Sequence, residues 1–430
     1  MVDGLLPIEF RARPLAFLFL DLNSYFASVE QQECPYLRGR PIAVVPVDAD
    51  TSFVIAASYE AKAYGVKCGT KIGEAKKMCP DLVIVKARSQ IYADYHERVV
   101  EVAETVLPVD EVCSIDEMRF RLIGEERTKE RSQEIARKMK QTIREGVGQY
   151  MACSVGIAPN SFLAKVATEL QKPDGLVVLE TKDLPHALHK LKLTDFPGIN
   201  FRMAARLNAN GIFTSEQLCA ADKGLMHKAF GSIVGERWWF YLRGFDLGTE
   251  THDRKTLGHS HVMAPDLRTD HGSYTVLLRL LQKASARLRS ENLWAASMTV
   301  SVRGMRRSWH ARAKLPPTQD TVTMGEALLE LWESRDFASP LAVGVTFDDL
   351  RTEAEFTPSL FTPTKDRSQL SHAVDKVNHK FGKHSVYLAG MHTVKHTADE
   401  KIAFQKTKLF SEGKGDNVRL DTFRGKRLSG

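Results

Sequence analysis

The sequence predicts an α+β chain of several domains, and three observations carry that prediction. Short apolar runs alternate with helical periodicities over the first 180 residues, the stretch to about residue 248 turns helical, and a β-α-β-β-α-β order follows between 257 and 348. At 430 residues with 43% hydrophobic content, the chain is also too long for one core.

The elements follow in order. "LAFLFL" is apolar at every position, as in a central strand covered on both faces, and Asp21 stands at its mouth. "YFASVEQQ" reads as a short helix that Asp21 or Asn23 could cap. "RPIAVVPV" (41–48) and "SFVIAASY" (52–59) read as strands, and 59–79 as helical with a break at "GVKCGT". A helix over 90–107 precedes "EVCSIDEMRFRLI" (111–123), which alternates like one strand with Met118, Phe120 and Leu122 on one face. A helix (127–146) and the strand "MACSVGIA" (151–158) close this part. "FPGINFRMAARLNANGI" and "AFGSIVGERWWFYLRG" read as short helical elements with glycine bends, and "TETHDRKTLG" as a linker. Beyond the βαββαβ domain, the clear helix is "RSQLSHAVDKVNHKFG" (367–382).

Composition narrows the function. The six cysteines show neither a CxxC pair nor zinc spacing, and no signal peptide opens the chain, so reduced thiols in a cytoplasmic protein are expected. Apolar runs are too short to span a bilayer, which excludes the membrane as a partner. A net charge of +7, with basic residues recurring in "RGMRRSWHARAK" and "FRGKRLSG", is compatible with a polyanionic partner or with a solvated basic face.

The chemistry rests on carboxylates. Alternation turns Asp116 and Glu117 of "SIDE" to opposite faces unless a turn or bulge intervenes, and periodicity leaves that open. If this strand lies beside the first, Asp21, Asp116 and Glu117 form a cluster that repels itself and calls for cations. Magnesium suits such hard oxygen ligands, and two ions can serve phosphoryl chemistry between them.

"FLDLNSYFASVE", "AASYEAKAYGVKCG", "SIDE", "SVGIAPNSFLAKVATELQKPDG" and "FPGI" resemble, in order and spacing, the motifs of the Y-family translesion DNA polymerases, over about residues 14–350. The resemblance implies a right-hand polymerase with an α/β palm (1–24 and 90–180), small fingers (25–89) and a helical thumb with a helix-hairpin-helix (181–248). It further implies a linker (249–257), a βαββαβ little finger (258–350) and a C-terminal tail (351–430).

Matched residue by residue, Asp21, Asp116 and Glu117 look like metal carboxylates with the Leu22 carbonyl as a backbone ligand, holding two Mg2+ ions that Mn2+ could replace. Tyr25 and Phe26 look like the sugar-facing floor, with Phe26 as steric gate, and Tyr59, Lys62 and Lys172 fall at triphosphate positions. Lys62 stands where arginine is usual, Ala56 where threonine is common, and Asn200 where a second glycine is frequent; positive φ is expected to be tolerable at Asn200. Gly198 and Asn200 look like a phosphate-facing hairpin, and Arg303, Arg306, Arg307 and Arg312 like phosphate contacts of the little finger.

The implied activity is distributive, low-fidelity DNA-directed synthesis from deoxynucleoside triphosphates on primer-template DNA past damage. The implied partner is a sliding clamp, bound through Leu360 and Phe361 of "TPSLF" or through "QKTKLF" at 405–410. Two other classes stay open: a scaffold paralogue in a lesion-bypass complex, and a palm-fold nucleotide cyclase.

Overall fold

The apolar opening run becomes strand β1, Phe17–Leu22, every residue of it buried. Asp21 therefore lies inside the strand, one residue from its end. The computed structural model describes residues 12–48, 50, 52–248, 255–304, 307–335, 340–355 and 367–397, which fall into two compact units, one up to 248 and one from 255. Arg306, Leu360, Phe361 and the "QKTKLF" stretch lie outside the described residues, as does most of the expected linker.

In the first unit β1 is followed by α1 (Tyr25–Glu33), β2 (Ile42–Val45), β3 (Ala56–Ala57), α2 (Tyr59–Ala63), α3 (Ile72–Met78), β4 (Val83–Lys86) and α4 (Ser89–Glu104). Then come β5 (Val109–Val112), β6 (Glu117–Arg121), α5 (Lys129–Gly146), β7 (Cys153–Ala158), α6 (Ser161–Leu170) and β8 (Leu176–Val178). Four short helices complete it: α7 (Phe201–Ala209), α8 (Ser215–Ala220), α9 (Lys223–Phe230) and α10 (Ile233–Tyr241). Two sheets result, β5-β6-β1-β7-β8 and a small β3-β2-β4.

Two sequence expectations need correction here. The run 111–123 is two antiparallel strands joined through residues 113–116, because the amides of Cys113 and Ser114 both turn back to the Glu117 carbonyl, at 2.9 and 3.2 Å. The run 52–59 yields only the two-residue β3, since Phe53 makes an isolated bridge to Lys71 and Ser58 already caps α2 by accepting from the Ala61 amide.

β1 shows why both its faces are apolar. Leu18, Leu20 and Leu22 enter a core with Tyr92, Val99, Met139 and Ile143 of α4 and α5, while Phe17 and Phe19 enter a second core with α6. A fully buried side chain of this size contributes roughly 1.5–3 kcal/mol. On the α6 side, Gly156 of β7 decides the spacing. A Cβ there would stand 2.0 Å from the Ala164 carbonyl oxygen, so only glycine lets the helix lie this close to the sheet.

The second unit is built from β9 (Thr256–Val262), α11 (Asp270–Ser290), β10 (Trp294–Arg303), β11 (Ser308–Thr318), α12 (Thr321–Glu333) and β12 (Ala342–Arg351), followed by α13 (Ser368–Phe381). Its antiparallel sheet runs β11-β10-β12-β9, with α11 and α12 covering one face over Met298, Val300, Val345 and Phe347. The chain after 351 is no loose tail throughout: Met391 and Val394, in a short 3-10 turn at Ala389–Val394, are fully buried in this same core.

Candidate active site

Register brings the acidic residues together. Asp21 on β1 faces Glu117 on β6, and the Leu22 amide donates to the Asp116 carbonyl at 2.8 Å. The question that alternation left open is answered by the hairpin: Asp116 is the last turn residue and Glu117 the first of β6. Asp116 accepts a hydrogen bond from the Ser114 hydroxyl at 2.6 Å.

Two lysines meet this edge from the α6 side. Lys165 pairs with Glu117, and Lys172, just past the helix, reaches Asp21 Oδ1 at 2.9 Å and Glu169 at 2.6 Å. Among the described residues no three His, Cys, Asp or Glu side chains are gathered into a ready-made metal cage. Burial pushes the Asp21 carboxyl up to about 6, against the pull of Lys172 and with Glu117 and Glu169 adding to the rise. Asp116 is also raised, by burial first, with Ser114 opposing and Asp21 adding. Burial lowers Lys172, but Asp21 and Glu169 outweigh it and hold the ammonium above its ordinary range. The donor set fits hard divalent cations: all oxygen, crowded, and stabilised in its charged form by added positive charge.

The capping alternative for this stretch fails. The residue preceding α1 is Ser24, at φ 49°, and no side chain caps that helix. Asn23 instead donates to Ser154 Oγ at 3.0 Å and accepts from the Asp174 amide at 2.7 Å. Lys140 holds the same loop by donating to the Asp174 and Gly175 carbonyls at 2.5 and 3.0 Å. The loop bearing Lys172 is thereby fixed to the strand end bearing Asp21.

Tyr25 and Phe26 are both buried, and they differ in what holds them. The Tyr25 hydroxyl donates to the Tyr92 carbonyl at 2.6 Å. The Phe26 ring lies flat on the Tyr92 ring, centroids 4.3 Å apart at 14°. Tyr92 is in turn anchored by its hydroxyl to Glu30 Oε1 at 2.6 Å, and Glu30, 1% exposed, pairs with Arg88. Tyr92, Glu30 and Lys165 carried no signal in the sequence, where an aromatic and an acid on apolar helix faces read only as core packing, and Asn23 stood out only as a helix-cap candidate.

Lys62 stands 4.3 Å from the centroid of the Tyr59 ring. Burial first, then the charge of Lys172, lowers Lys62, while burial raises Tyr59 against the pull of Lys172. Two cations that feel each other in a half-buried place favour an anion between them.

Gly198 has φ 93°, so the hairpin's left-handed residue is this glycine. Asn200 needs no such conformation: at φ −83° it caps α7, its side-chain oxygen accepting from the Met203 amide at 2.9 Å. In the second unit, Arg312 pairs with Thr299 across β10 and β11, and its guanidinium donates to Ser297 at 2.7 and 3.1 Å. Alternation puts Arg303, His310, Arg312 and Lys314 on the sheet face away from α11 and α12; His310 and Lys314 were passed over in the sequence. Arg307 adjoins that edge just before β11. Among the described residues no helix is long and apolar enough to cross a membrane.

Comparison with known proteins agrees with this architecture. The impB/mucB/samB family matches residues 20–169, and that family's C-terminal domain matches 254–360. DNA polymerase IV of Moorella thermoacetica is 32% identical over 386 residues, 87% of this chain and 95% of that protein. DNA polymerase IV 2 of Bacillus subtilis is 28% identical, covering 89% and 96%. Among solved structures, the Y-family DNA polymerase chimera Dbh-Dpo4(243-245)-Dbh superposes with a TM-score of 0.66 at 25% identity, over 78% of this chain and 99% of that one. The chain belongs to the impB/mucB/samB family. It is a DNA-directed DNA polymerase of the Y-family, the translesion class.

Proposed function

We propose that this polymerase copies damaged template by two-metal nucleotidyl transfer at the Asp21, Asp116 and Glu117 edge. The observation that carries the reading is the facing register of Asp21 and Glu117 with Asp116 in the adjoining turn. Two divalent cations held by these carboxylates and the Leu22 carbonyl, magnesium by preference and manganese in its place, would activate the primer 3′-hydroxyl and stabilise the leaving pyrophosphate. The chain's own groups do the rest. Tyr59, Lys62 and Lys172 bind and orient the triphosphate, supplying a hydroxyl and two compact charges. Phe26, backed by Tyr92, closes the space under C2′ and favours deoxyribonucleotides.

Palm, fingers and thumb correspond in this reading to the five-stranded sheet, the β3-β2-β4 region and helices α7 to α10, and the second unit is the little finger. Gly198 and Asn200 present the thumb's amides to the backbone of primer-template DNA, and Arg303 and Arg312 on the sheet face, with Arg307 at its edge, meet its phosphates together with Arg306, which lies outside the described residues. A fingers region confined to about 25–89 encloses little of the nascent pair, so synthesis is distributive and of low fidelity. Such an enzyme works in the cytoplasm and is recruited by a sliding clamp through Leu360 and Phe361. Primer extension on a defined template, with magnesium present and then chelated, tests the reading: extension only with magnesium supports it. Template binding with no extension under any metal would favour the scaffold alternative.

A further inference from the structure

Helix α13 lies beyond the residues matched by the family's C-terminal domain, which end at 360, and it sits on its unit the wrong way round. The side chains that tie it to the unit are polar, with Val374 and Val377 half-buried beside them. Ser371 accepts from the Thr321 amide at 3.4 Å, and Asp375 is held by Arg289 at 2.5 and 2.9 Å. Asn378 bonds both backbone groups of Val386, at 2.8 and 2.9 Å. Positions 371, 375 and 378 recur at helical spacing, so they define one face.

The apolar residues occupy another. Leu370, Ala373, Val377 and Phe381 fall at i, i+3, i+7 and i+11, a stripe about 16 Å long. Leu370 is 58% exposed and Phe381 68% exposed. A helix that only covered its domain would bury this stripe and expose the polar one.

Charge indicates what the stripe meets. Residues 367–397 contain five Lys or Arg and five His against a single acid, Asp375, and Arg289 already neutralises it. Lys376 and Lys380 border the stripe on the side away from the domain contacts, and Lys380 Nζ stands 5.3 Å from the Phe381 ring centroid. A second copy would bring cations against cations. Single-stranded nucleic acid would ask for a series of aromatic platforms, whereas three of the four stripe residues are aliphatic. We propose that the outer face of α13 docks an amphipathic helix of a partner protein, one whose apolar stripe is edged by carboxylates. This surface is distinct from the clamp peptide proposed above.

The test uses the full chain and fluorescein-labelled synthetic helices with leucines at i, i+3, i+7 and i+11, flanked either by glutamates or by lysines. Anisotropy is expected to show binding of the glutamate-edged helix only. Affinity should fall about tenfold or more in Leu370→Ala with Phe381→Ala, and similarly in Lys376→Glu with Lys380→Glu, with primer extension unchanged in both. Both pairs are at the surface, and the charge pair leaves the apolar stripe whole, so a shared loss is not a folding effect. Equal binding of both helices, or of neither, would overturn the proposal. So would a labelled single-stranded oligonucleotide whose binding depends on the same residues, or a dimer in sedimentation that Leu370→Ala with Phe381→Ala abolishes.

Discussion

Lys172 Nζ stands 2.9 Å from Asp21 Oδ1 and 2.6 Å from a Glu169 oxygen, so one ammonium is shared by two carboxylates at the strand end proposed to hold a metal. A cation on Asp21 competes with Lys172 for the same oxygen, and a lysine released from Asp21 is positioned to meet a phosphate. Lys172→Ala is expected to lower kcat/KM for incoming deoxynucleotide by about ten- to a hundredfold, each tenfold being about 1.4 kcal/mol. The magnesium concentration for half-maximal rate should fall, because the competing cation is gone. Steady-state insertion under magnesium titration measures both; an unchanged kcat/KM would remove Lys172 from the nucleotide site.

With Phe26 as the proposed steric gate, its flat stack on Tyr92 predicts that sugar selection depends on two rings. Phe26→Ala should raise ribonucleotide insertion by about tenfold or more, and Tyr92→Leu by less, since the gate loses its backing but keeps its bulk. Tyr25→Ala should change selection little, because that hydroxyl is turned to the Tyr92 carbonyl. Single-nucleotide insertion with paired ribo- and deoxyribonucleotides checks the order; relaxed selection in Tyr25→Ala alone would reverse the assignment.

How much of this was legible in the sequence depended on the range of the interaction. The buried run around β1 and the βαββαβ order are periodic signals, and they read directly. Asp116 and Glu117 did not, because alternation treats 111–123 as one strand and cannot see that the Glu117 carbonyl receives two amides from a turn. Asn200 was read through backbone freedom, yet its side chain caps α7 at ordinary φ. Tyr92 and Lys165 lie 66 and 48 residues from the partners that give them meaning, Phe26 and Glu117, and only the tertiary fold brings each pair together, α4 against α1 and α6 against β6.

His259 gives a pH dependence. Burial first, and then Lys283, Arg287 and Arg279, lowers it to about 3. The unfolded chain, with histidine near 6.5, binds the proton that the folded chain refuses between those values, so stability is fully present above about pH 6.5 and falls with acidity at up to about 1.4 kcal/mol per pH unit. Thermal unfolding of the second unit's transition between pH 8 and 5 is expected to show a smaller acid loss in His259→Gln than in the natural chain. Parallel curves would mean that His259 titrates normally.

The proposed recruitment by a sliding clamp predicts a separation of activities. Leu360→Ala with Phe361→Ala should abolish clamp-stimulated synthesis and leave unassisted extension intact, since a tether raises effective concentration without touching the chemistry. Synthesis with and without loaded clamp measures it. Loss only on changing Leu409 and Phe410 would move the contact to the later motif.

The most direct test of the two-metal assignment is extension by Asp116→Ala at saturating magnesium, with primer-template affinity measured in parallel by anisotropy. The expected result is a rate lower by about a hundred- to a thousandfold or more with affinity unchanged, because the substitution removes a cation ligand and leaves the DNA contacts in place. Extension within about tenfold of the natural chain, with the same magnesium dependence, would contradict the assignment of Asp21, Asp116 and Glu117 as the catalytic metal site.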